Sequence, residues 1–207
     1  LHRVVRPVVL EGGPGWCRPQ AGDDGELLLE PVAALTQGRE GDAVRGVLGA
    51  THPETLRVFG VLGVMAIDAK NYGRATTLLR QASELYERAN GPTHPESIVI
   101  RNNYLAALRD SGEPQAAAES YASLLKVAQA AFPEGNVTIG AIQGNYGLAL
   151  VELKRFAEAE PLLIDSFRII RKVLPENDPR NDVPKHRLER LYREWGKPER
   201  LSEALRP

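Results

Sequence analysis

The sequence predicts an all-α fold in which antiparallel helix pairs stack into an α-α solenoid. The first observation behind this is a fixed period. Moved back by 42, His94-Pro95-Glu96-Ser97 falls on His52-Pro53-Glu54-Thr55; moved forward by 42, Asn102-Asn103-Tyr104 falls on Gly144-Asn145-Tyr146. The second is that every unit reads as a helix, a tight break and a second helix. The third is that unit starts at His52, His94, Asn136 and Asp178 keep the step of 42 without an insertion. A chain that repeats itself in this way is an array of helical units, each burying its neighbour's apolar face.

Each element follows from local chemistry. Pro53, Pro95 and Pro179 follow three of the four starts, and proline at the first helical position loses no intrahelical bond. Asn136 and Asp178 are good N-cap residues, and Glu54 and Glu96 set negative charge near a positive helix end. First helices carry apolar residues at helical spacing: Ile100, Tyr104, Ala107 and Leu108, then Ile142, Tyr146, Ala149 and Leu150. Breaks are expected at 68–72, 110–114 and 152–156, where Gly112 suits a left-handed helix end and Pro114 a new start. Second helices beginning near 72, 114 and 156 share Ala75, Ala117 and Ala159, small residues that permit close helix approach. Pro161 lies early enough in its helix to be tolerated or to cause a mild kink. The last unit carries Leu188, Leu191 and Tyr192, and its second helix is cut short at Pro207, as a terminal repeat requires.

The expected organisation is an array over 51–207, with repeats at about 52–93, 94–135, 136–177 and 178–207. Residues 1–50 read as an irregular leader. Gly12-Gly13-Pro14-Gly15 and Ala21-Gly22-Asp23-Asp24-Gly25 are turn chemistry. Glu26–Thr36 suits a short helix, whose continuation Gly38 and Gly41 weaken, and Asp42–Leu48 one or two turns; together they read as a degenerate half-repeat over the first true one, with a spacing that does not match the rest. A chain opening on Leu1 rather than methionine reads as a fragment.

Composition bounds the function. A net charge of -1 gives no general attraction to nucleic acid or a membrane surface, and no apolar run approaches the ~18 residues of a membrane span. Cys17 is the single cysteine, so neither an internal disulfide nor a multi-cysteine metal site can form; the expected compartment is the cytoplasm. Phosphate loops, H-E-x-x-H pairs, nucleophile elbows and dinucleotide glycine patterns are absent. No cofactor and no catalytic activity are expected. His52 and His94 recur at equivalent positions, but stacked helix pairs keep them roughly 10 Å or more apart, too far to share a metal, and helix-start chemistry accounts for them.

Leu62-Gly63, Tyr72 and Ala75; Tyr104, Gly112 and Ala117; and Tyr146-Gly147, Phe156 and Ala159 together resemble the tetratricopeptide repeat. The 42-residue period, with H-P-E-[TS] before the first helix, Asn103-Tyr104-Leu105-Ala106 and Ala159-Glu160-Pro161-Leu162, resembles its kinesin-light-chain subtype. That resemblance implies a right-handed superhelix and a non-catalytic scaffold that binds an extended peptide or partner protein in its concave groove. It implies a groove lined by Arg57, Val61, Val64 and Asp68; by Val99, Asn102, Asn103, Ala106, Arg109 and Asp110; by Asn145, Leu148 and Glu152; and by Arg187, Arg190 and Arg193. Asparagine can pair with an extended backbone and arginine can fork onto a carboxylate, so a ligand with acidic residues beside an apolar anchor is expected. The competing reading makes Asn103 and Asn145 bridges between helices and the arginines a solvated face. Ala106 and Leu148 stand where a carboxylate-clamp repeat has a second asparagine, which speaks against chaperone-tail binding. The ending Leu191–Glu199 is similar to ends of bacterial serine/threonine kinases, so the alternative function is the regulatory tail of such an enzyme.

Overall fold

The computed structural model describes residues 52–175 and 178–206 together with Gly49; the expected elements at Glu26–Thr36 and Asp42–Leu48, and Cys17, lie outside the described residues. First helices α1 (Pro53–Asp68), α3 (Pro95–Asp110), α5 (Val137–Glu152) and α7 (Asp182–Trp195) alternate with second helices α2 (Tyr72–Asn90), α4 (Pro114–Ala131), α6 (Phe156–Val173) and α8 (Leu201–Ala204). Starts at Pro53, Pro95 and Val137, and at Tyr72, Pro114 and Phe156, hold the step of 42. In the fourth unit the equivalent positions, Pro179 and Pro198, open short 3-10 turns instead. There Asp178 accepts the Arg180 N–H at 2.9 Å and its guanidinium Nε at 2.8 Å, closing a tight turn, so α7 begins only at Asp182 rather than at the expected start.

The two histidines are helix caps. Nδ1 of His52 accepts the N–H of Glu54 at 3.2 Å, and Nδ1 of His94 accepts that of Glu96 at 3.3 Å. Asn136 does the same for Thr138 at 2.8 Å. A capping side chain satisfies one of the donors that a helix start leaves without an intrahelical partner. His94→Ala is therefore expected to cost about 1 kcal/mol of unfolding free energy and His94→Asn close to nothing, as read by urea titration.

Each break is closed in the same way. Lys70 (φ 57), Gly112 (φ 98), Lys154 (φ 61) and Gly196 (φ 71) take the left-handed conformation, again 42 residues apart. The following residue reaches back five positions: Asn71 N–H to Ala66 O at 2.8 Å, Glu113 to Leu108 at 3.1 Å, Arg155 to Leu150 and Lys197 to Tyr192 at 2.9 Å. This is the hydrogen-bond pattern of a Schellman C-cap. Glycine is legible in that role; lysine is not, because a side chain there costs about 1–2 kcal/mol. Lys70→Gly is expected to raise stability by about 1 kcal/mol in the same titration. Pro161 lies inside α6 without interrupting it.

Ala75, Ala117 and Ala159 are fully buried. In two of the units the first helix carries glycine against a leucine of the second: a Cβ on Gly63 would lie 2.5 Å from Leu79 Cγ, and one on Gly147 would lie 2.6 Å from Leu163. The middle unit exchanges this pairing for Leu105 against Tyr121, both buried. Successive first helices touch one another, whereas successive second helices do not come together to a comparable extent. Helices that crowd on one side and splay on the other curve the array, with α1, α3, α5 and α7 on its inner face.

Candidate functional site

The first helices carry the twelve residues singled out as the groove, at very different depths. Val64, Asn102, Asn103, Ala106, Arg109, Asn145, Leu148 and Arg187 are buried. Arg57, Val61 and Arg190 are half-buried and Arg193 is exposed. The reason is register. Positions 61, 103, 145 and 187 are equivalent: Asn103, Asn145 and Arg187 are buried where the helices stack, and Val61, on the first of them, is half-buried.

What stacking covers is a polar ladder. Arg187 Nη2 on α7 donates to Asn145 Oδ1 on α5 at 2.8 Å, and Asn145 Nδ2 donates to Asn102 Oδ1 on α3 at 3.0 Å. The backbone carbonyl of Asn102 accepts the hydroxyl of Tyr121 at 3.1 Å, and the Tyr121 ring stacks on Tyr146 with centroids 6.1 Å apart. Burial pushes the Tyr121 phenol pKa well up, so it stays a donor. Gly144 makes room for the guanidinium: a Cβ there would sit 2.0 Å from Arg187 Nη1. Asn102 and Asn145 thus bridge helices, and as folded a groove ligand does not reach them without displacing the ladder.

A second, ionic ladder runs along the C-terminal ends of the first helices. Asp68, Asp110, Glu152 and Glu194 recur every 42 residues. Arg109 donates to Asp110 Oδ1 at 2.8 and 2.6 Å and lies 3.7 Å from Glu152. Arg190 joins Glu152 at 3.4 Å to Glu194 at 2.9 Å, and Lys154 closes on Glu194 at 2.7 Å. From sequence Arg109 and Arg190 are groove cations; in the fold the column of acids holds both. Its signal is an acid at every forty-second position, hidden by the change from Asp to Glu.

The two glutamates titrate in opposite directions. Burial raises the Glu152 pKa, with Arg109 and Arg190 opposing; hydrogen bonds from Arg190 and then Lys154 lower that of Glu194. A lowered carboxylate stabilises the fold above its unfolded pKa, and that stability is lost as pH falls through the folded value; a raised one does so below the unfolded value and loses it as pH rises. Glu194→Gln is accordingly expected to be less stable than the parent at pH 7 and to lose less on acidification below the usual carboxylate range. Parallel denaturation series would show parallel acid limbs if the Glu194 contacts contribute nothing.

At the last break Trp195 stacks on Phe156 and Tyr192, with Lys197 Nζ 3.9 Å over its ring. Among the described residues no group of three metal-ligating side chains occurs and no helix is long and apolar enough to cross a membrane.

Family models for the tetratricopeptide repeat match residues 54–130 and 141–180. The chain belongs to the tetratricopeptide-repeat family. Among solved structures it is similar to a putative kinesin light chain of Podosopora anserina with nearly identical TPR-like repeats. The similarity is 20% identity over 81% of this chain and 79% of that one, with TM-score 0.63, and 0.65 for a variant of the same protein. No curated protein sequence matches. The fold is generally a non-catalytic protein-interaction scaffold.

Proposed function

We propose that the chain binds an extended segment of a partner protein along its inner face. The observation that carries this reading is the close stacking of α1, α3, α5 and α7, which makes one continuous strip of first-helix residues. At one end of the strip Arg57 and Val61 are within reach of a ligand; at the other Arg190 and Arg193 are. Val61 and Val99, both half-buried, would take an apolar anchor. Arg109 is enclosed by Asp110 and Glu152, so the exposed Arg193 would read acidic residues, together with the partly exposed Arg57, which a ligand acid would share with Glu54. A kinase-tail role rests on the ending Leu191–Glu199 alone, and no feature of the described residues adds to it.

The test selects peptides from a random library with the full chain and then measures affinity for the best of them. Arg57→Glu with Arg193→Glu is expected to weaken binding about tenfold or more, with a smaller effect at high salt. Arg168→Glu, on the outer helix α6, should change nothing. Unchanged affinity in the inner-face double variant, or no enriched peptide, would overturn the reading. Arg109→Glu is unsuitable, since it would place a further acid in the ionic ladder and report stability.

A further inference from the structure

The seam between a second helix and the next first helix changes its chemistry from unit to unit at one pair of positions. Between α2 and α3, Arg101 closes on Glu87 at 3.4 Å. One period later, between α4 and α5, the same positions hold Gln129 and Gln143, both neutral. One period further, they hold Arg171 on α6 and Lys185 on α7. A pair that is ionic at the first seam is therefore two cations at the third.

Those two cations line one cavity of about 590 Å³, together with Phe167, Leu174, Asn181, Asp182 and Leu205. Small-molecule sites measure roughly 300–1,000 Å³. In the preceding unit α6 lays Ile169 and Ile170 over Gly140, the equivalent of Asp182; α8 runs only from Leu201 to Ala204, so here the space stays open. Phe167, buried, forms an apolar floor with Leu174 and Leu205, and the Arg171 guanidinium lies 5.7 Å from the centre of its ring. The Asn181 amide donates to the Pro175 carbonyl at 2.7 Å, joining the end of α6 to the start of α7. Asp182 is the one acid of the lining and lies in the first turn of α7, where the helix end itself favours a negative charge. Among the described residues no carboxylate forms an ion pair with Arg171 or Lys185. Like charges that share a hollow repel, and an anion set between them converts that repulsion into two attractions.

We propose that this cavity binds a small molecule carrying an anionic group on an apolar body. The anion sits between Arg171 and Lys185, and the body lies on Phe167, Leu174 and Leu205. Arginine can fork onto the anion, and lysine supplies a compact charge opposite it. The test titrates decanoate, a carboxylate on an alkyl chain, into the full chain with labelled leucine and valine methyls. Saturable shifts are expected at Leu174 and Leu205, and none at Val61 and Val99 of the inner face. Arg171→Gln with Lys185→Gln should weaken binding about tenfold. Arg171→Lys with Lys185→Arg should keep it, and so should Arg168→Gln, on α6 outside the lining. Decanol, which lacks the charge, should bind about tenfold more weakly than decanoate. No shift at Leu174 and Leu205 would overturn the proposal, as would equal binding of decanol or unchanged affinity in the glutamine double variant. Shifts confined to Val61 and Val99 would overturn it too, while leaving the inner-face reading standing.

Discussion

Tyr121→Ala is expected to remove about 3–5 kcal/mol of unfolding free energy, the range for deleting a large buried ring. Tyr121 stands where its neighbouring units have Leu79 and Leu163, and it is fully buried. Its ring stacks on Tyr146 of the next first helix while its hydroxyl holds the Asn102 carbonyl. It therefore joins α3, α4 and α5 at once, and the loss should spread beyond its own unit. Tyr121→Phe separates the contributions: it keeps the ring and removes one hydrogen bond, so about 1 kcal/mol is expected. Equal losses in the two variants, by urea unfolding, would mean that the hydroxyl rather than the ring holds the middle of the array.

Asn145→Ala should follow, at about 2–3 kcal/mol. It takes the acceptor from Arg187 and the donor from Asn102 in a fully buried setting. A hydrogen bond to a charged group contributes about 1.5–3 kcal/mol, and alanine's better helix propensity returns only about half a kcal/mol. Removing both ends of a buried charged contact is less damaging than removing one. Asn145→Ala with Arg187→Met should therefore lose far less than the sum of the two single variants. Additive losses would show that Asn145 and Arg187 are not energetically coupled.

Why some of this was legible in the sequence, and some not, follows from what a period records. The period records local chemistry: His52, His94 and Asn136 announce helix starts because capping is decided within two or three residues. Gly112 announces a break for the same reason. Lys70 and Lys154 are silent there, since lysine carries no preference for the left-handed conformation they adopt. Contacts between units join residues about forty apart, as in Arg187–Asn145 and Arg190–Glu152. They are decided by how adjacent helices rotate, which identity alone does not give. Gly144 shows this best. In sequence it breaks the match with Asn102; in the fold it is the space that an arginine in an asparagine's register needs. The groove residues lie on the expected helices, but stacking turns eight of the twelve inward.

The proposed ligand lies along the inner face of the first helices. The most direct measurement carries a spin label on a selected peptide and follows the methyl resonances of the bound, full-length chain. Val61 on α1 and Val99 on α3 are predicted to broaden, while Val173, half-exposed at the end of the outer helix α6, keeps its intensity. Broadening at Val173 with Val61 and Val99 untouched would contradict the claim and move the binding face to the second helices.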